Sequence, residues 1–284
     1  MAHGFVGPSA TMAAMLLCFP KFLTGRDART LAVELRTAGL DGVAIPIRDG
    51  YWVQPASLAS DLPRFRATLA DHGLSADYAV LSVDPATLAA DPKPLAVLAE
   101  HGVRWMRIGY LRGDDPAAGF DHGRRTLSAL ADHAGREGIR VVIQCHHGTW
   151  HSSPEGAWHL VRDLDPKAIG IKVDPGNQSH EGRSDARRSL SLIGPYLAAV
   201  GVKDAAWERT AEGGWRCRWV DAPTGVAGWA SWIPQLRERG FSGPYVFHAF
   251  AHERNPDAIL GALASEVAWL RAALDQPAAV RGSV

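Results

Sequence analysis

VVIQCHHGTW, residues 141–150, opens as three β-branched apolar residues and closes as a polar cluster. Val141, Val142 and Ile143 suit a strand covered on both faces, as in a parallel sheet. Period-two alternation puts Gln144 and His146 on one side of that strand and Cys145 on the other, against a helical layer, while His147 starts the loop. Polar groups at the carboxyl end of a parallel strand lie where α/β folds place their chemistry. A solvated histidine pair is the plainer explanation, but three further strands end in the same way.

Working outward, apolar strands are expected at Met15–Phe19, Gly42–Pro46, Ala76–Val83, Arg104–Tyr110, Arg140–His146, Ile169–Asp174, Leu197–Asp204 and Tyr245–Phe250. Amphipathic segments separate them, at 27–38, 62–72, 86–101 (interrupted near Pro92–Pro94), 123–137, 153–164, 185–193, 229–239 and 256–273. Gly39, Gly73, Gly138 and Gly240 stand where four of these helices should stop. Ser153-Pro154-Glu155 supplies an N-cap, a proline at the first helical position and early negative charge. Residues 205–222, rich in Trp, Gly and Arg, read as a longer loop with room for a small hairpin. Strict alternation of strand and helix argues for parallel βαβ units, and eight repeats favour a closed (β/α)8 TIM barrel over a doubly wound sheet. Neither GxGxxG after the first strand nor GxxxxGK[ST] occurs, so no nucleotide cofactor is expected. The barrel is assigned to 15–274, with a disordered lead at 1–14 and a flexible tail at 275–284.

The bulk composition agrees with one α/β domain. The chain has 284 residues, 46% hydrophobic and 21% charged, with 30 basic and 30 acidic side chains. Balanced charge without like-charge runs disfavours nucleic acid and membrane surfaces as partners. Three cysteines without CxxC spacing point to a reducing compartment, hence the cytoplasm, and the N-terminal apolar run is too short for a membrane span.

If the strands close into a barrel, the residues at their carboxyl ends form the site. Strand two contributes Arg48, Tyr51 and Trp52; strand four Arg107, Tyr110 and Arg112; strand five Gln144 and His146, with Trp150 beyond. Strand six gives Asp174 and its loop residues Asn177, His180 and Glu181; strand seven Lys203, Asp204 and Trp207; strand eight His248. Singly, each has an ordinary explanation: the arginines as solvated loop cations, Lys203 and Asp204 as a structural pair, the tryptophans as packing. Jointly they mark one rim as a pocket, and indole rings suit the C–H faces of sugars.

At this point the chain resembles the xylose isomerase-like TIM barrel superfamily, which includes sugar phosphate isomerases and epimerases. The matching phrases are LAVELRTAGLDGVAIPIR, HAGREGIRVVIQCH, LVRDLDPKAIGIKVDPGNQSHEG, VGVKDA and GFSGPYVFHAF, in the family's order over about 15–270. The resemblance implies a barrel acting on a small carbohydrate or polyol, often by moving a proton next to a carbonyl. It also implies one divalent ion held by Glu, Asp, His and Glu at the ends of strands five to eight. Here the matching positions are Gln144, Asp174, Gly201 and His248, so only the aspartate remains. Any metal would then rest on His146, Asp174, His248 and Gln144, which suits Mn²⁺, Zn²⁺ or Fe²⁺ better than Mg²⁺. The endonuclease branch of the superfamily needs a richer histidine and carboxylate set, including a histidine where Asn177 stands.

The first functional expectation is an isomerase, epimerase or related lyase acting on a keto-sugar or cyclic polyol. His146 or His248 would be the base, and Lys203, Arg107 or a metal would stabilise the oxyanion. Asp174 would orient a histidine or bind metal, and Gln144 would fix a substrate hydroxyl. Lys203 could alternatively form a Schiff base. The competing expectation is a non-catalytic or accessory sugar-binding barrel that has lost its metal. A homo-oligomer is compatible with either.

Overall fold

The computed structural model describes residues 14–252 and 255–276. The expected lead and tail, save Ala14, Asp275 and Gln276, lie outside the described residues.

Ten strands and ten α-helices are found among the described residues: β1 Met15–Cys18, α1 Ala28–Thr37, β2 Gly42–Ile47, α2 Leu58–Ala70, β3 Ser75–Leu81, α3 Pro85–Ala90, α4 Lys93–Glu100, β4 Trp105–Arg107, α5 Pro116–Glu137, β5 Arg140–Gln144, α6 Pro154–Val161, β6 Ile169–Val173, α7 Pro175–Gln178, α8 Ala186–Ile193, β7 Leu197–Val202, β8 Asp204–Arg209, β9 Trp215–Val220, α9 Trp229–Glu238, β10 Pro244–Phe247 and α10 Pro256–Asp275. Eight parallel strands close into a barrel in the order β1-β10-β7-β6-β5-β4-β3-β2, and β8 and β9 form a separate antiparallel hairpin. The fold is the single (β/α)8 barrel expected from the alternation.

Side-chain alternation sorts the strand residues into two layers. Leu17, Phe19, Ala44, Tyr78, Val80, Ala199 and Val246 pack together as one interior cluster. Their strand neighbours, among them Ile143, Cys145, Ile171, Val173 and Phe247, belong to the larger cluster shared with the helices. Cys145 is fully buried there, on the opposite side of β5 from Gln144. Among the described residues no helix is long and apolar enough to cross a membrane.

Local chemistry sets the element boundaries. Ser153 caps α6 by accepting from the Gly156 N–H, with Pro154 following, as the sequence suggests. Gly138 ends α5 with φ 67°, a left-handed conformation that glycine adopts without strain. Four boundaries differ from expectation. The 86–101 segment divides at Pro92 into α3 and α4. Helix α5 begins a full two turns early, because Asp115 caps it and Pro116 starts it, while Gly119 and Gly123 hide its amphipathic period. Strand β4 stops at Arg107, after which the Gly109 N–H turns to the Val83 carbonyl. Where the sequence suggests loop directly after β6, Asp174 caps the single turn α7.

Candidate active site at the carboxyl ends of the barrel strands

Asp174, fully buried, is the hub of the site. One carboxylate oxygen accepts from the Asn177 backbone N–H at 3.0 Å. The other accepts from Gln144 Nε2 at 2.6 Å and Asn177 Nδ2 at 2.8 Å, and pairs with Lys203 Nζ at 3.3 Å. Burial alone would push this carboxyl up, but Lys203, Lys172 and the Asn177 N–H hold it below the usual carboxylate range. Gln144 extends the network, since its Oε1 accepts from Arg107 Nε at 3.2 Å. Arg107 also donates to the Ile108 carbonyl and the Tyr110 hydroxyl. Gln144 therefore links Arg107 to Asp174.

Beside this network lies a second pair. Lys172, 1% exposed, points inward from β6 and places Nζ 3.0 Å from His248 Nε2. Desolvation, and then nearby cations, draw the lysine far below its ordinary range in spite of Asp174. The same two causes, with Lys172 first among the cations, keep His248 a neutral imidazole. Gly201 makes the arrangement possible. A Cβ there would come within 2.6 Å of Asp174 Oδ2 and 3.2 Å of Lys172 Cε. Lys203, 3% exposed, is also pulled down by burial, but Asp174 opposes this and the ammonium is the form that fits beside it. With that carboxylate as its partner, Lys203 is a poor Schiff-base former.

A belt of rings surrounds the two lysines. Tyr110 meets His146 at 4.4 Å between centroids, His146 stacks on His147 at 4.4 Å, and His147 stacks on His180 at 4.3 Å. His180 meets Trp219 at 4.5 Å, Trp219 meets Phe250 at 5.4 Å, and Phe250 meets His248 at 5.5 Å. Phe19 follows His248 at 5.6 Å, and Arg48 lies over Phe19 at 5.4 Å. Lys203 Nζ sits 4.6 Å from the Trp219 ring and 4.7 Å from Phe250, so indole and phenyl faces cover its charge. His146 donates through Nδ1 to the His147 carbonyl at 2.8 Å, which leaves Nε2 with the lone pair. Burial lowers the His146 pKa to about 3 and that of His180 to about 4. At neutral pH His146 is therefore a neutral imidazole whose Nε2 can accept a hydrogen bond.

The sequence-derived candidates divide accordingly. Gln144, His146, Asp174, Asn177, His180, Lys203 and His248 gather at one mouth with Arg107 and Tyr110, and Arg48 stands at its edge. Asn177 is spent on organisation: its amide also meets the Cys145 carbonyl and accepts from His147 Nδ1 at 2.9 Å. Three tryptophans expected to bind substrate do other work. Trp52 stacks on Phe65 at 5.6 Å and donates to the Arg26 carbonyl. Trp150 wedges against α5, where a Cβ on Gly119 would meet its ring at 2.2 Å. Trp207 is 44% exposed and ties the hairpin to the Ser179 carbonyl at 2.7 Å. Asp204 accepts from the backbone N–H groups of Ala205, Gly225 and Ala227, fixing the segment after β7.

Sequence reasoning missed Lys172, Trp219 and His151. Lys172 was legible by alternation, two residues before Asp174, but a lysine inside a strand was passed over. Trp219 lay in the segment read as loop. His151, fully buried, donates to the Gln144 carbonyl at 2.8 Å and accepts from the Leu111 N–H at 3.1 Å, strapping the end of β5 to the β4 loop.

The residues present do not fit a divalent ion. The expected set His146, Asp174, His248 and Gln144 is not assembled for ligation, because His248 Nε2 faces an amine and one Asp174 oxygen is surrounded by N–H donors. Among the described residues no group of three or more His, Cys, Asp or Glu is placed to hold a metal.

No curated protein matches the sequence. Solved structures do. A xylose isomerase-like TIM barrel protein from Mycobacterium smegmatis, in complex with magnesium, is 20% identical and superposes with TM-score 0.64, covering 92% of this chain and 99% of its own. D-allulose 3-epimerase from Methylomonas sp. is 16% identical, TM-score 0.66, with 93% and 99% covered. A probable 3-DHS dehydratase from Bacillus anthracis is 15% identical, TM-score 0.66, with 91% and 98% covered. At these identities the likeness speaks for the fold. The family model of the xylose isomerase-like TIM barrel matches residues 33–273, and the chain belongs to that family.

Proposed function

We propose that this chain is an enzyme of the isomerase, epimerase or related lyase class that moves a proton on the carbon next to a carbonyl of a keto-sugar or cyclic polyol. The carrying observation is the juxtaposition of two buried pairs at one mouth: the Lys203–Asp174 ion pair, and the Lys172–His248 contact at 3.0 Å. Removing a proton beside a carbonyl requires a base and a cation for the oxygen that becomes an enolate. Lys203 and Arg107 are the cations, preorganised by Asp174 and Gln144 in surroundings from which water is excluded. His248 and Lys172, both drawn below their ordinary ranges by burial, form a couple able to accept and return the proton. The lone pair on His146 Nε2 is available to a substrate hydroxyl. The aromatic belt suits the C–H faces of a polyol. Fold neighbours that are an epimerase and a dehydratase support this class. No step is assigned to a metal, because the donor set does not accommodate one.

The test is solvent exchange. Keto-sugars incubated with the protein in D₂O should gain deuterium at the carbon beside the carbonyl, read by NMR. His248→Asn should slow this by about 10²-fold or more, the usual scale for an acid–base group. Saturable binding without exchange in the wild type would instead identify a sugar-binding barrel.

A further inference from the structure

The charge of the mouth is one-sided. Arg48, Arg107 and Lys203 converge on it, and Asp174 is the acidic group within their network. Only Lys203 reaches that carboxylate as an ion pair; among the described residues neither Arg48 nor Arg107 has an acidic side chain within 4.0 Å. Arg107 is satisfied by neutral oxygens, from Gln144, Tyr110 and the Ile108 carbonyl. Arg48 is not. It follows β2 on the inward side, its guanidinium lies over Phe19 and 5.9 Å from the Tyr51 ring, and its Nε is buried without a hydrogen-bond partner. Its chain neighbour Asp49 points to solvent and makes no ion pair with it among the described residues. Tyr51 gives the guanidinium one side-chain hydrogen bond, but the buried Nε keeps no acceptor, and a buried donor without one is costly. Burial and the like charge of Arg107 already weigh against the cation at this position.

We infer that the substrate of this site carries a carboxylate, which docks on the Arg48 edge beside Arg107 and supplies the anion the mouth lacks. The inference rests on the proposed proton-transfer reading only in assuming a small polyhydroxylated ligand. A planar carboxylate matches the guanidinium fork in a two-point contact. A phosphate fits less well for a structural reason. TIM barrels frequently bind phosphate on backbone N–H groups in the loops after the seventh and eighth strands. Here the Asp204 carboxylate already takes the N–H groups of Ala205, Gly225 and Ala227 in the segment after the seventh barrel strand. An anion of the protein fills that place.

Three ketoses separate the possibilities: 5-keto-D-gluconate, D-fructose 6-phosphate and D-fructose, carrying a carboxylate, a phosphate and no charge. Binding is measured by titration calorimetry on the intact protein, so turnover is not needed. The keto acid should bind at least about tenfold more tightly than D-fructose, a difference that added salt reduces. Arg48→Met should bring that ratio close to one, and Arg48→Lys should restore part of it, with thermal melting confirming that both variants fold. Equal affinities, preference for the phosphate, no binding of the keto acid at about 10 mM, or an unchanged ratio in folded Arg48→Met each overturn the inference. Deuterium exchange into D-fructose without any preference for the acid would overturn it while leaving the proton-transfer reading intact.

Discussion

Asp174→Asn tests the network at its centre. In the native protein every polar contact of this side chain is an accepted one: the Asn177 N–H at 3.0 Å, Gln144 Nε2 at 2.6 Å, Asn177 Nδ2 at 2.8 Å and the Lys203 ammonium at 3.3 Å. An amide of the same shape has one oxygen and one NH₂, so in either orientation a donor faces a donor. It also leaves the Lys203 ammonium, 3% exposed, without an anion. Breaking a buried pair from one side costs about 3–5 kcal/mol. Lys203→Met leaves the carboxylate with three hydrogen bonds, so its cost should be smaller, about 1–3 kcal/mol. The double variant removes both charges and should be less destabilised than the sum, with a coupling of about 0.5–3 kcal/mol. Urea unfolding at pH 7 measures all three, and the melting temperature of Asp174→Asn should fall by about 5–10 °C. A loss below about 1 kcal/mol in Asp174→Asn, or additivity within about 0.5 kcal/mol, would refute the ion-pair network described here.

Gly201→Ala places a methyl group 2.6 Å from Asp174 Oδ2 and should cost about 1–3 kcal/mol in urea unfolding, as overpacking does; wild-type stability would show that Asp174 has room to move. Glu266 on α10 is 2% exposed and burial raises its carboxyl to about 8 from 4.5. The folded state thus keeps a proton that the unfolded chain releases, so this group's contribution to stability declines as pH rises between about 4.5 and 8, and Glu266→Gln should remove that decline, most visibly above pH 6.5. On the acid side the sign reverses, because unfolding lets His146 and His180 titrate near 6.5 instead of about 3 and about 4. The contribution of these two groups should fall as pH drops below 6.5, against that of Glu266 down to about 4.5, and the His146→Asn/His180→Asn variant should lose it. His146→Ala should reduce turnover more than His147→Ala, since the His146 ring lies against Tyr110, which Arg107 hydrogen-bonds, whereas the His147 ring lies against His180; steady-state rates of folded variants decide.

The barrel was legible because its signal is repeated. Each strand is a short apolar run, each helix carries a stop or a cap, and an error at one boundary leaves the alternation intact. The inward direction of Gln144 and the outward direction of Cys145 followed from alternation alone. What a neighbour does to a residue was not legible. The pairing of Lys203 with Asp174, rather than with adjacent Asp204, depends on a crossover that sequence spacing does not encode. Asp204 turns to three backbone N–H groups of its own segment instead. The placement of the tryptophans was hidden for a related reason. Trp207 and Trp219 occupy the same face of one hairpin, where Trp207 pairs with Cys217 and Trp219 with Ala205. Only the register tells which of them reaches Lys203, and it is Trp219.

Gly201, Lys172 and His248 are best understood together. By the family's pattern Gly201 reads as a lost histidine and His248 as a lost glutamate. Space and charge give a different account. A side chain at 201 would occupy the volume that Asp174 and the Lys172 stem now fill. A carboxylate at 248, facing Lys172 Nζ at the 3.0 Å seen for His248, would hold that amine as an ammonium. Imidazole at 248 and glycine at 201 are therefore the conditions under which a buried amine can point into the barrel mouth with no carboxylate directly opposite it. Gln144 follows the same logic, since a glutamate there would set a second carboxylate beside Asp174 at the 2.6 Å now spanned by an N–H donor. The departures from the metal-binding pattern are coupled, and each makes physical sense only with the others in place. They describe a mouth in which lysine and arginine supply the positive charge that an ion would otherwise bring.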